Sequence, residues 1–597
     1  MFRATLASLG RSALHTIARC LLVMTAALAA AGCGESGEGV AGEGPAGPPG
    51  APAASDLVLR GGAVYTMDPQ RPWASAVAVA GERIVWVGDN EEAGGWIGPE
   101  TRVIELDGEM VLPGFHDAHV HPISGGIELG ECDLNGLDTA AAVLVAVRAC
   151  AERTPAGEWV RGGGWDLPLF PNANPQRTTL DEIAPGRPVF LSAADGHSAW
   201  VSSRALELAG VTAATPDPPN GRIERRPDGE PSGTLRESAM GLVSRLLPAH
   251  DDEDRRDGLR RAIEMANRFG ITSWLEASAA ERSLAAYRAL DDAGELTVRT
   301  SVAIEVDLEA GGGQIERLRD LSQRYRGGRV RVQTAKIFAD GVIEAQTAAL
   351  LEPYVGSDDR GDANLDPASF AELVTALDAA AFQVHVHAIG DRAIRDALDA
   401  FAAARAANRA RDARHTLTHI QLFDPADIPR FAELDVIAAF QPLWAYADTY
   451  ITELTEPVLG PERSRWLYPI RSVAGAGATV ACGSDWSVSS MNPLLGIEVG
   501  VTRRSPEAGG DGAWIPEERV DLHAMLSCYT TGAAWALFQE NETGSLIAGK
   551  AADLIVLDRN LFELPPEQIG DVRVLLTLLA GREVYRDSSG PGSAANR

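Results

Sequence analysis

From residue 113 to residue 535 the chain alternates short apolar segments with longer segments in which apolar residues recur every three or four positions. Helical segments such as DEDRRDGLRRAIEMANRFG and PASFAELVTALDAAAF separate most of the apolar ones. Eight apolar segments have the length and composition of buried strands: VLPGFHDAHVH, ITSWLEAS, LTVRTSVAIEV, RVQTAKIFADG, FQVHVHAIGD, HTLTHIQ, DVIAAFQPLW and ATVACGSDW. Repeated strand–helix units build parallel sheets that close into barrels. The alternation therefore predicts an α/β protein with a TIM-like (β/α)8 barrel.

Two further regions flank or interrupt this repeat. After the first strand, residues 130–245 carry WDLPLF, DGHSAWVSSRALELAGV and the hairpin-like GRIERRPDGEPSG, and they predict an insertion over the mouth of the barrel. Residues 56–112 and 536–597 instead show alternating apolar residues and turn-forming GG, GE and DG pairs. We expect these two ends to pair as one small β-sandwich domain.

The first 55 residues predict export. Three arginines precede the apolar run LLVMTAALAAAG, which is too short to cross a bilayer as a permanent helix. AAGC follows and resembles a bacterial lipobox, although Ala30 stands where leucine is favoured. Residues 1–33 are thus predicted to be a lipoprotein signal peptide with Cys33 lipidated, residues 34–55 a disordered linker, and the protein membrane-anchored, facing the periplasm or the cell exterior. Ordinary cleavage near the alanine-rich end, giving a soluble exported protein, is the alternative.

Charge and cysteine content narrow the possible partners and the covalent structure. A formal net charge of -30, from 83 acidic and 53 basic residues, disfavours nucleic acid and anionic membrane surfaces and favours a neutral or cationic small molecule. The cysteines after the leader form no CxxC pair, and they are Cys132, Cys150, Cys482 and Cys528. In a chain this long such scattered cysteines are interpreted as buried thiols, with a Cys132–Cys150 disulfide as the alternative.

Potential metal ligands collect at the carboxyl ends of the predicted strands, where barrel enzymes place their chemistry. Two histidines spaced by two residues leave the same face of an extended strand. Several imidazoles and a carboxylate at one barrel mouth suit Zn²⁺ or a similar divalent ion. The residues in strand order are His119, His121, Lys336, His387, His419 and Asp485.

These motifs, in this order, resemble the amidohydrolase superfamily, and within it the YtcJ-like branch of amidohydrolase 3 proteins. PGFHDAHVHP is similar to the first-strand HxH motif, KIFADG to the strand-four lysine motif, HAIGD to the strand-five motif, HIQ to the strand-six histidine and GSDW to the strand-eight aspartate. GSLIAGKAADLIVLD resembles the closing β-segment of the superfamily. The resemblance extends from about Asp56 to Tyr585.

The resemblance implies that His119 and His121 bind one metal ion, with Asp485 beneath it. A metal ion lowers the pKa of bound water from 15.7 to about 7 and polarises a carbonyl oxygen. Asp485 would take the proton of the attacking water and pass it to the leaving amine. His197, in the insertion, is expected either to orient the substrate or stabilise an oxyanion, or to have a structural role in the lid.

Lys336 decides how many ions the site holds. In the superfamily a strand-four lysine can be carboxylated and bridge two metal ions, with His387 and His419 completing the second site. The alternative is a site with one ion, in which Lys336 is an ammonium paired with Asp340 or Glu344.

The other residues near the motifs receive weaker assignments. His116 is predicted to face away from the ligands, and His385 and His415 are predicted to lie one layer deeper, in core or supporting positions. Trp165 and Asp166 are expected to line the substrate pocket.

These expectations define a function and its rivals. The first is a metal-dependent hydrolase that cuts a non-peptide C–N bond of an amide, a cyclic amide or an N-acyl or N-formyl compound. The second is a deaminase of a heterocycle that uses one metal ion. The third, from another class, is a catalytically inactive exported ligand-binding protein.

Overall fold

The computed structural model describes residues 55–507 and 512–590. The predicted signal peptide, the lipidation site Cys33 and the linker up to residue 54 lie outside the described residues. In the two described ranges, no helix combines the length and the apolar character needed to cross a membrane.

Eight parallel strands form the central sheet, and each pairs with its neighbour in chain order. They are β1 (Phe115–Val120), β2 (Ile271–Ala279), β3 (Arg299–Glu305), β4 (Val330–Phe338), β5 (Gln383–Ala388), β6 (Thr416–His419), β7 (Ile437–Phe440) and β8 (Val480–Cys482). All eight come from the predicted segments, so the predicted barrel is confirmed.

The helices between the strands pack against the outside of the barrel. They are α1 (Asp252–Arg268), α2 (Glu281–Asp292), α3 (Ile315–Tyr325), α4 (Pro367–Ala379), α5 (Asp391–Ala407), α6 (Ile428–Leu434), α7 (Ile470–Gly475) and α8 (Pro493–Thr502). Local sequence fixes where they begin: Asp251 and Asp254 form a capping box at α1, and the Asp366 carboxylate accepts two backbone N–H groups at α4. Their apolar faces and the strands share one large hydrophobic core.

Short contacts between β1 and the segment after β8 bring the first and last strands together. The backbone N–H of Asp485 donates to the carbonyl of His119 at 2.8 Å. A Cβ on Gly483 would lie 2.6 Å from the backbone nitrogen of His119, so only glycine permits this approach. The backbone itself therefore places the β8 aspartate beside the β1 histidines.

Strands from both chain ends belong to a second sheet of eight strands. The two ends are joined in this sheet by the antiparallel pairing of Met110–Pro113 with Leu554–Leu557. Residues of both ends share a small separate core. The remaining strands are Leu57–Tyr65, Trp73–Ala80, Arg83–Gly88, Arg102–Glu105, Val574–Leu579 and Arg582–Arg586.

The segment between β1 and α1 carries its own six-stranded sheet and two small cores. Its strands are Cys132–Asp133, Val160–Trp165, Val189–Ala193, Ser198–Val201, Gly221–Arg225 and Pro231–Glu237. Its helices are Pro122–Glu128, Ala140–Arg153, Arg177–Ile183, Ser203–Ala209 and Gly241–Ser244. Outside this segment, four further short helices lie late in the chain at Glu456–Leu459, Pro461–Ser464, Leu522–Ser527 and Ala533–Ala536. We call residues 130–245 the insertion.

Disulfides join the four described cysteines in two pairs. Cys132 bonds Cys150 within the insertion, and Cys482, the last residue of β8, bonds Cys528. The Cα atoms lie 5.7 and 5.2 Å apart, within the range that a disulfide spans. The interpretation as buried thiols is therefore wrong, and the alternative, a Cys132–Cys150 disulfide, is present. The Cys482–Cys528 disulfide was not predicted, because its cysteines lie 46 positions apart and only the fold brings them together.

Candidate metal centre

Both histidines of the HxH motif point one ring nitrogen at Asp485. The Asp485 Oδ1 atom lies 3.4 Å from His119 Nε2 and 3.1 Å from His121 Nε2. His119 is completely buried, whereas about a quarter of the His121 side chain is exposed. Burial alone would raise the pKa of Asp485, but the contact with His121 and the positive charges around it hold the pKa below its ordinary value. Asp485 is therefore an ionised carboxylate among imidazoles.

A residue inside the motif, Asp117, fixes this geometry and was not singled out from the sequence. Its Oδ1 atom accepts the backbone N–H groups of His119 (3.1 Å) and Ser484 (2.9 Å), and its Oδ2 atom accepts the Ser484 hydroxyl at 2.5 Å. Asp485 itself has a left-handed backbone, with φ of 54°, as does His419 with φ of 70°. Such strained conformations in non-glycine residues persist where the surrounding structure holds them, often at functional sites.

Lys336 lies at the end of β4, fully buried. Its Nζ atom has no hydrogen-bond partner and sits 4.6 Å from the centre of the Phe338 ring. The proposed ion pairs with Asp340 and Glu344 are not formed: Asp340 accepts three backbone N–H groups, and Glu344 accepts from Gln421 and Thr455. Burial lowers the pKa of Lys336 to about 7. A neutral amine is thus accessible near neutral pH.

The histidines of β5 and β6 complete the cluster. The ring centres of His387 and His419 lie 4.6 Å apart, and His419 lies 4.7 Å from His119. His419 Nδ1 is 3.0 Å from Gln441 Oε1 and 3.7 Å from Asp485 Oδ2. Burial lowers the pKa of His387 and His419 well below the ordinary value, which leaves the imidazoles neutral, the form that binds metal.

The insertion contributes His197 to the same mouth. Its ring centre lies 5.4 Å from that of His387, and its Nδ1 atom lies 2.9 Å from Glu237 Oε2. Glu237 in turn accepts the Thr347 hydroxyl at 2.7 Å. Burial would lower the pKa of His197, but the charge and hydrogen bond of Glu237, with further carboxylates, raise it to about 9. His197 is thus a cationic donor held beside the candidate ligands.

The two residues predicted to line the pocket differ in their burial. Trp165 is fully buried in the core of the insertion, where its Nε1 atom donates to the Leu191 carbonyl at 3.0 Å. It packs the insertion and offers no surface to a substrate, in place of the predicted pocket role. Asp166 is half-buried and accepts the Tyr450 hydroxyl at 3.1 Å.

Several buried polar groups support the cluster from behind. His385 Nε2 lies 2.8 Å from His119 Nδ1, in a supporting position. Glu276, at the end of β2, places Oε1 3.9 Å from His121 Nδ1, and the sequence did not indicate it. His116 faces away, 2.8 Å from the Thr543 hydroxyl, and His415 lies 3.2 Å from Asp378.

The residues present fit a divalent metal ion. Three buried polar atoms at the centre have no hydrogen-bond partner: His119 Nε2, Lys336 Nζ and Asp485 Oδ1. Buried polar atoms normally have partners, so such a group of orphans needs an explanation. Among the described residues, ligand atoms of His119, His419 and Asp485 all lie within 4.8 Å of one another. Neutral imidazoles with an ionised carboxylate are the donor set that Zn²⁺ and similar ions use.

Comparison with known sequences agrees with this site. Residues 102–585 match the sequence profile described as the Amidohydrolase family. The chain belongs to the amidohydrolase family. The protein is therefore a metal-dependent hydrolase of carbon–nitrogen bonds, with a divalent metal as its cofactor.

Two curated relatives of this amidohydrolase are similar over nearly the whole chain. Protein LONG AFTER FAR-RED 3 of Arabidopsis thaliana is 32% identical over 557 residues, which cover 90% of this chain and 93% of the relative. N-substituted formamide deformylase of Arthrobacter pascens is 29% identical over 88% of this chain and 97% of its own length. An uncharacterized metal-dependent hydrolase from Pyrococcus furiosus has a similar solved structure, with a TM-score of 0.64, 26% identity, and coverage of 84% of this chain and 99% of that one.

Proposed function

We propose that this amidohydrolase hydrolyses a non-peptide C–N bond of a small neutral or cationic amide, lactam or N-acyl compound, with Zn²⁺ as its metal. The observation that carries the proposal is the convergence of three unpartnered buried atoms, from His119, Lys336 and Asp485, at the barrel mouth. A divalent ion bound there would supply a nucleophilic hydroxide at neutral pH and polarise the scissile carbonyl. The net charge of -30 favours a substrate without negative charge.

The protein groups divide the remaining work. His119, His121, His387 and His419 would hold the metal through ring nitrogens. Asp485, held ionised by its neighbours, takes the proton of the attacking water at its carboxylate and delivers it to the leaving nitrogen. His197 is cationic, and about a fifth of its side chain is exposed, so it can donate a hydrogen bond to the carbonyl oxygen as negative charge develops there.

Lys336 is proposed to be carboxylated and to bridge two metal ions. The neutral amine attacks CO₂, an N–C bond forms, and one proton leaves to solvent. The lowered pKa makes the amine available, and the Nζ atom has no hydrogen-bond partner that the reaction would have to displace. The resulting carboxylate would bring the missing negative charge between the β1 and β5 histidines.

The relative from Arthrobacter pascens suggests which substrates to test first. That protein is an N-substituted formamide deformylase. We propose N-formyl amines as the first members of a panel that also holds other N-acyl amines, lactams and amino-substituted heterocycles. The half-exposed Trp444, whose ring stacks 5.7 Å from that of His419, offers a flat apolar wall for such a substrate.

One experiment tests the proposal. Purified protein is analysed for metal content and assayed against the panel, beside His119→Ala and His250→Ala, a histidine that lies outside the cluster. We expect about two zinc ions per chain, turnover of at least one amide, and loss of turnover only in His119→Ala. A single ion with ammonia released from a heterocycle would identify a deaminase instead. Unchanged turnover in His119→Ala would overturn the metal site.

Export with a lipid anchor on Cys33 is a separate proposal. Two disulfides among the described cysteines support it, because such bonds persist in oxidising compartments. Cys33→Ser should move the protein from the membrane to the soluble exported fraction, whereas Cys20→Ser should leave it on the membrane. Retention of Cys33→Ser on the membrane would contradict the anchor.

A further inference from the structure

A buried carboxylate stands behind one of the candidate metal ligands. Glu276 lies in the second half of β2 and is 3% exposed. Its Oε2 atom accepts the Tyr287 hydroxyl at 2.9 Å. Its Oε1 atom accepts the backbone N–H of Ser278 at 3.4 Å and lies 3.9 Å from His121 Nδ1. One carboxylate oxygen is thus anchored by the core, and the other is turned toward the imidazole.

The two nitrogens of His121 face different groups. Nε2 lies 3.1 Å from Asp485 Oδ1, in the centre, and Nδ1 faces Glu276. His119 has the same arrangement, with Nε2 toward Asp485 and Nδ1 2.8 Å from His385. In metal sites a ligating histidine usually donates its second N–H to a carboxylate, carbonyl or water, which fixes the tautomer and strengthens the ligand.

We propose that Glu276 is a positioning residue that accepts the Nδ1 proton of His121 and so presents Nε2 to the metal. The proposal rests on the proposed function, because His121 must be a ligand for Glu276 to act through it. His121 is the candidate ligand that most needs such support, since about a quarter of its side chain is exposed and the core alone does not fix its ring. His119 and His419 are buried and held by protein contacts on several sides.

The surroundings of Glu276 make the proposal testable with a small molecule. Glu276 lines a cleft of about 330 Å³ beside the barrel mouth, together with Ser124, Glu131 and Ser278. Removal of its side chain would leave a hole next to His121 that solutes of this cleft can reach. Formate carries the same carboxylate and is small enough to fill it.

The test measures zinc affinity, independently of turnover. Metal-free protein is titrated with Zn²⁺ against a competing chelator for the wild type, Glu276→Ala, Glu276→Gln and Glu131→Ala. Glu131 lines the same cleft but pairs with Arg161, away from His121. We expect zinc to bind about 10 to 100-fold more weakly to Glu276→Ala, less weakly to Glu276→Gln, and unchanged to Glu131→Ala. Formate should recover most of the affinity of Glu276→Ala and should not alter that of the wild type.

Three outcomes separate the explanations. Equal zinc affinity in Glu276→Ala and the wild type would overturn the positioning role. If Glu276→Ala does not fold, Glu276→Gln and Tyr287→Phe replace it in the zinc titration. A carboxylate needed only to pack Tyr287 would leave the zinc affinity of Glu276→Gln equal to that of the wild type, and that result would contradict the proposal. Failure of the wild type to bind zinc would instead refute the proposed function, on which this role depends.

Discussion

The two sides of the candidate centre are organised differently. On the side of β1 and β8, His119 and His121 both direct Nε2 at one carboxylate oxygen of Asp485, and Asp117 ties the two strands together. On the side of β4, β5 and β6, Lys336 Nζ has no hydrogen-bond partner. His387 of this side contacts the Gly341 carbonyl oxygen, and His419 contacts the side-chain amide oxygen of Gln441. The first side thus already has a carboxylate directed at its histidines. On the second side the Asp340 carboxylate, 3.8 Å from His387 Nε2, already accepts three backbone N–H groups, so this side lacks a free anion. A carboxylate on Lys336 would supply it, so the difference predicts how each side responds when it is altered.

The largest effect is expected from Asp485→Asn, which removes the carboxylate anion from the side of β1 and β8. The amide cannot take a proton from the attacking water, so kcat/KM should fall by about 10²–10⁴-fold, the usual contribution of a general acid–base group. Steady-state kinetics on the best substrate of the panel measure it, with His250→Gln as the control. A loss below 10-fold would show that a group other than Asp485 transfers the proton and that Asp485 does not connect the two sides of the centre.

Lys336→Ala tests the side of β4, β5 and β6. We expect the metal content to fall from about two ions to one, and turnover to fall by more than the ~10–100-fold that loss of a supporting partner costs. Propionate, which can place a carboxylate in the space left by the lysine, should recover part of both. Metal content is measured by elemental analysis after dialysis with and without propionate. A wild type that binds one ion, with no change in Lys336→Ala, would show that the lysine is not a ligand.

The barrel and the six candidate ligands were predictable from the sequence because they depend on local patterns. Apolar strand segments repeat along the chain, and each candidate ligand lies in the last residues of its strand or just after it, at the edge where barrel chemistry lies. Parallel strands in chain order then bring Lys336, His387 and His419 beside β1. The HxH spacing also predicts that His116 faces away, as it does.

The supporting residues were not predictable because they depend on contacts between distant segments. Glu276 reads as one acid in a strand, and only the β1–β2 pairing places it behind His121. Trp165 was expected to line the substrate pocket, yet it packs against Trp200 and Phe170 within the insertion. The Cys482–Cys528 disulfide joins residues 46 positions apart, which their spacing alone does not suggest. Motif order thus indicates the candidate ligands, and tertiary packing determines which residues support them.

Glu237→Gln examines how the insertion acts on the β5 side. The carboxylate charge raises the pKa of His197 to about 9, so its loss should lower that pKa toward the ordinary value of about 6.5. If protonated His197 is required, the alkaline limb of the pH profile of kcat/KM should move to lower pH by at least about one unit. At pH 8 the loss should be about 2-fold for a one-unit shift and about 30-fold if the pKa falls to about 6.5. An unmoved alkaline limb, with Thr347→Val as control for the neighbouring hydrogen bond, would assign His197 a structural role.

The smallest effect is a stability difference that isolates Lys336 from every other group. Burial lowers its pKa in the folded protein to about 7, from 10.5 in the unfolded chain. Between these values the unfolded state binds more protons, so the free energy of unfolding should rise with pH, by up to about 1.4 kcal/mol per pH unit. Below pH 7 both states are protonated and the contribution is constant. Protein freed of metal by a chelator is unfolded with urea in CO₂-free buffer at pH values from 6.5 to 9. Lys336→Met, which has no titrating amine at this position, is measured in the same way. As pH rises, the wild type should gain unfolding free energy relative to Lys336→Met. Parallel curves would instead mean that the Lys336 amine already has a partner in the folded protein.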